Sequence, residues 1–117
     1  MKITRLYSGA DGESHFQDVE IDLNPSGVGL LSETFPATGV IFRETAPDYD
    51  LDFHNAPRKQ YVVCLDASVE ITIGDGSKRV FGPGDIFLAE DVTGHGHISR
   101  AVDGQVRHSL FITIEES

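Results

Sequence analysis

His95 and His97 stand one glycine apart in residues 91–100, DVTGHGHISR. A neutral imidazole can ligate a divalent metal, take up a proton or accept a hydrogen bond from a ligand. In an extended chain, residues two apart point to the same side, so both rings can turn toward one target. Three arrangements are open: two ligands on one ion, one ligand with an idle neighbour, or two polar residues on a strand rim. Gly94 and Gly96 leave the backbone around His95 loosely specified, and His97 is preferred as the inward residue. Arg58 and Arg100 offer guanidinium forks that suit a carboxylate substrate, or else pair with an acidic surface. Glu90 and Asp91 are a candidate general-base pair, or a solvated acidic loop. Tyr49, Phe53 and Tyr61 are candidates for an aromatic wall around a small organic ligand, or for core and interface positions.

These side chains need elements to hold them, and the chain has an all-β rhythm. Apolar residues recur with period two or in short runs, and Gly, Pro, Asp and Asn separate the runs. The pattern predicts strands over 2–7, 15–23, 39–44, 60–65, 69–73, 78–81, 86–89, 97–102 and 107–114. No 3.6-residue apolar stripe is long enough to require a helix. In VEITIGDGSKRV, Val69, Ile71 and Ile73 alternate, and Gly74, Asp75 and Gly76 are expected to supply the positive φ angles of a tight hairpin. Pro83 and Gly84 mark a second turn, into the apolar run 86–89. Residues 45–58, TAPDYDLDFHNAPR, lack alternation and read as an irregular loop or a short edge strand before the central strand at Gln60.

A chain of 117 residues without repeat or linker suits one domain with one core. The formal charge of −10 argues against phosphate backbones and anionic membranes as partners, because both need a cationic surface. Cys64 is the one cysteine; set among Val62, Val63 and Leu65, it reads as a small hydrophobe rather than a nucleophile. The N-terminal residues lack the apolar core of a secretion signal, and no window has eighteen consecutive apolar residues, so a cytoplasmic location is expected.

The stretch from Asp52 to Arg100 resembles a small single-domain cupin. Gly84 and Asp85 match the opening of the family's second motif, Ile86 to Ala89 its apolar strand, and His95 or His97 its closing histidine. In HNAPRKQYVVCLDAS, His54 stands at the first histidine of the first motif, Ala56 at the second, Gln60 at the acid and Ala67 at the glycine. The intervening hairpin resembles the family's inter-motif hairpin.

The resemblance implies a double-sheet jelly-roll β-barrel, commonly a homodimer, with an internal pocket for a small polar organic ligand. It also implies one divalent ion (Fe, Mn, Ni or Zn) ligated by His54, His97, Gln60 and His95, and held weakly because Gln60 replaces a carboxylate and Ala56 a histidine. His108 lies on the last strand, which in the family runs near the pocket; with Arg58, Tyr61, Arg100 and Phe53 it completes the expected ligand surroundings. Cupins span oxygenases, isomerases, lyases and binding proteins. Two functions are therefore expected: metal-dependent chemistry on a small molecule, or ligand binding and sensing without a tight metal.

Overall fold

The computed structural model describes residues 1–116. Among the described residues the chain forms twelve strands and no helix. They are β1 (Lys2–Ser8), β2 (Ser14–Glu20), β3 (Asn24–Ser26), β4 (Gly29–Leu31), β5 (Gly39–Thr45), β6 (Asp50–His54), β7 (Gln60–Cys64), β8 (Val69–Thr72), β9 (Lys78–Phe81), β10 (Ile86–Glu90), β11 (His97–Ala101) and β12 (Arg107–Thr113). Every strand expected from the alternation is present, with ends displaced by up to three residues. Three are additional. β3 and β4 are three-residue arms of an exposed hairpin, too short to carry a period. β6 lies in the unpatterned 45–58 segment and is an edge strand, exposed except at His54.

Ten of the strands form two sheets. The larger has the order β2-β1-β10-β7-β12-β5, and the smaller β6-β11-β8-β9. All pairings are antiparallel except β1 with β10. Alternation in β7 turns Val62 and Cys64 inward with Gln60, and in β10 Phe87 and Ala89. They meet Val69 and Ile71 of β8 and Phe81 of β9 in one core with Leu6. Full burial of such a side chain contributes about 1.5–3 kcal/mol, so this core holds the sheets face to face. The architecture is thus an all-β sandwich; among the described residues neither sheet closes into a barrel.

The β8–β9 hairpin forms as its sequence directs, with Thr72 opposite Lys78. Its turn chemistry is narrower than expected: within Gly74, Asp75 and Gly76, only Gly76 has a positive φ, +88°. Asp75 acts instead through its side chain, whose carboxylate accepts from the Ser77 amide at 2.8 Å, an Asx-type turn. No helix of the described residues is long and apolar enough to cross a membrane.

Candidate functional site

His54 of β6 and His97 of β11 are a direct cross-strand pair. Their ring centroids lie 4.5 Å apart, with the planes at 57°. Gly96 makes this approach possible: its φ is +81°, and a Cβ there would sit 2.0 Å from the His54 carbonyl oxygen, so no other residue fits without moving the strand. Gly94, φ +77°, is pressed likewise against the Gly12 carbonyl. The glycines of GHGH thereby seat the segment between β6 and the β1–β2 turn.

Behind His97 lies Asp91, with no solvent exposure. Its Oδ2 accepts from His97 Nδ1 at 2.5 Å and from Ser14 Oγ at 2.7 Å. The expectation of a solvated acidic loop therefore fails for Asp91: the loop folds inward, and Ala56 N donates to the Asp91 carbonyl at 3.1 Å. Because a carboxylate only accepts, Nδ1 of His97 carries the proton and Nε2 presents a lone pair when the ring is neutral. His54 is oriented in the same way, donating from Nδ1 to the Asp52 carbonyl at 2.8 Å. Burial holds the His54 pKa below the usual histidine value, the neighbouring His97 adds to the effect, and the bond to Asp52 opposes it. The site therefore offers two oriented imidazole acceptors, His54 and His97.

Both rings border a cavity of about 80 Å³ between the sheets. Gln60, 3% exposed, faces it from β7, and its Oε1 accepts from Arg58 Nη1 at 3.0 Å. Arg58 thus reaches the site by holding Gln60. From β5 and β12 come Arg43, Arg107 and Ser109, with the Tyr49 ring beside them. Arg107 is buried, and desolvation lowers its pKa from the usual arginine value.

Other expected site residues lie elsewhere. His95 Nδ1 sits 2.9 Å from Glu13 Oε2, and its ring stacks on Phe53 at 3.8 Å, on the exposed rim. Arg100 pairs with Asp50 at 2.8 Å on the outer face of the smaller sheet. His108 points outward from β12 between Asp66 and Glu44, and bonds to both carboxylates raise its pKa. Tyr61 lies on the outer face of the larger sheet, in register with Leu88 and Ile112. Cys64 is fully buried, and desolvation pushes its thiol up to about 11, which removes the thiolate at neutral pH.

A tightly held divalent ion needs three or four strong donors. The cavity brings His54 and His97 together, whereas Gln60 Oε1 already accepts from Arg58, and two guanidinium groups share the space. Among the described residues, no group of three His, Cys, Asp or Glu side chains is placed to hold a metal. The donor set therefore does not fit a tight site.

Sequence reasoning passed over Arg43, Arg107 and Ser109. The signal was strand phase: Arg107 and Ser109 alternate in step with inward Phe111, and Arg43 pairs with Ser109. Compared with known proteins, the chain matches no protein-family model and no curated protein.

Proposed function

We propose that this chain is a cupin-type jelly-roll protein whose intersheet cavity binds a small polar organic ligand, with His54 and His97 as the groups that meet it. The observation that carries this is the histidine pair, His97 buried and His54 half-buried, each ring fixed through Nδ1, on a cavity between the sheets. A concave, largely pre-formed site with a few convergent polar groups is the usual form of a small-molecule site. Support for the cupin-type reading comes from the stretch resembling the second motif, which builds β10 and delivers His97 to the cavity.

Within this reading His97 is the candidate base. Asp91 holds its tautomer and would stabilise the imidazolium formed when Nε2 takes a proton from a bound ligand. Binding or sensing without turnover is the second reading. It is favoured by the size of the cavity and by a Cys64 thiol kept protonated and packed in the core. We place the protein in the cytoplasm, where a free cysteine stays reduced, and infer a second copy of the chain as its macromolecular partner.

The test is nuclear magnetic resonance of ¹⁵N-labelled histidine side chains during titration with small alcohols, amides and carboxylic acids. Saturable shifts at His54 and His97, with His95 and His108 unmoved, are expected, and His97→Gln should abolish them. If no compound moves the pair, the pocket reading fails. Metal analysis of untagged protein after supplementation with Fe, Mn, Ni and Zn checks the metal-dependent alternative. Near-stoichiometric metal lost in His97→Ala would establish that alternative against the donor count.

A further inference from the structure

Arg107 carries a charge that no acidic side chain among the described residues neutralises. The residue is 6% exposed and its Nε is buried without a hydrogen-bond partner among the described residues. Arg43 lies diagonally across the β5–β12 pairing, since Ser109 opposes Arg43, and such diagonal neighbours are within reach of long side chains. Their guanidinium carbons lie 5.3 Å (Arg43) and 5.7 Å (Arg107) from the Tyr49 ring centroid. None of the ion pairs among the described residues involves either arginine. The chain has 19 acidic residues against nine basic ones, yet none is placed here. Arg107 is desolvated, and the half-exposed Arg43 nearby adds repulsion rather than compensation. A bound anion supplies what the fold withholds, because guanidinium forks match carboxylate geometry.

We propose that Arg43 and Arg107 form a carboxylate subsite in the cavity and that the ligand is a short-chain hydroxy acid, an inference that rests on the cavity being a ligand pocket. Both arginines and both histidines border the same space, so a carboxylate on the guanidinium groups leaves the other end of the molecule for the rings. Those rings present Nε2 lone pairs, which accept from a hydroxyl and have nothing to accept from a bare carbonyl. The cavity is small, about 80 Å³, which favours a short acid. Ser109 adds a hydroxyl on the same strand face as Arg107.

Isothermal titration calorimetry of the full chain with lactate, glycolate, propane-1,2-diol and inorganic phosphate tests this. Lactate or glycolate should bind saturably, and Arg107→Met should weaken binding by at least about tenfold, the equivalent of 1.4 kcal/mol. The ligand-free Arg107→Met protein should melt no lower than wild type, because it loses an uncompensated buried charge. Lower melting would mean that Arg107 has an internal partner, and would overturn the subsite. So would lactate binding unchanged by Arg107→Met, or the diol binding as tightly as lactate; in either case the ligand pocket itself would stand. Phosphate binding without either hydroxy acid overturns the ligand class. Binding of none of the four overturns the subsite, and the histidine titration then tells whether the pocket has failed with it.

Discussion

Asp91 Oδ2 accepts from both Ser14 and His97, so replacing that one carboxylate strands two buried donors. Each unsatisfied donor costs about 1–3 kcal/mol. Asp91→Ala should therefore lose about 2–5 kcal/mol in urea unfolding, and Ser14→Ala, which removes one donor together with its need, about 1 kcal/mol. A loss for Asp91→Ala no larger than for Ser14→Ala would deny the carboxylate its orienting role. Titration adds a second residue-scale prediction. The folded-state pKa of His54 is lowered by burial, so the unfolded chain binds more protons and stability falls as pH drops below the ordinary histidine value of 6.5. The loss is complete once pH has passed the depressed folded value. His108, raised by Asp66 and Glu44, acts in the opposite direction. Its contribution is fully present below the ordinary value and fades as pH rises through its folded value, though solvent screens so exposed a group. Melting curves against pH should therefore show a flatter decline below pH 6.5 in His54→Gln than in wild type, whereas His108→Gln should lose the part of the decline that wild type shows as pH rises above 6.5.

At the scale of elements, the turn into β11 decides whether the site forms. Gly96→Ala combines a positive φ with a Cβ 2.0 Å from the His54 carbonyl oxygen. Gly76→Ala has a similar φ, +88°, with nothing within 4 Å, so it isolates the conformational cost of about 1–2 kcal/mol. Urea unfolding should place Gly96→Ala well below Gly76→Ala; equal losses would mean that the β6–β11 approach is not tight. These glycines also mark the border of what the sequence discloses. Period two and the turn residues are local, and so the nine patterned strands and the β8–β9 hairpin were legible. His97 was legible as inward because its neighbours on β11 alternate. Its connection to Asp91 was not, since burial of Asp91 depends on Ser14, 77 residues earlier in the chain. The arginine exchange has the same origin. Arg58 and Arg100 stood close to the motif residues in sequence, whereas Arg43 and Arg107 reach the cavity only after β5 pairs with β12 and β12 with β7.

The whole molecule presents a second apolar surface that the sandwich itself does not use. On the outer face of the larger sheet, Phe42 opposes Leu110 and Leu110 opposes Val63, while Val40, Ile112, Tyr61 and Leu88 form the parallel row. Phe42 is 82% exposed and Val40 55%. Contiguous apolar surface of this kind marks an interaction site, and the charge of −10 limits what can occupy it. Two copies repel each other over most of their surface, so self-association requires a face without net charge, and these rows provide one. An apolar patch on one sheet face can meet the same patch of a second copy across a two-fold axis. The expected partner is accordingly a second copy, docked on the rows led by Phe42. Sedimentation velocity should show a dimer for wild type and a monomer for Phe42→Asp, with circular dichroism unchanged because Phe42 contributes little to the sandwich core. The dimer should persist as salt rises, since screening relieves the acidic repulsion and leaves the apolar contact intact. A wild-type monomer at all accessible concentrations, or a dimer indifferent to Phe42→Asp, would remove this face from the assembly.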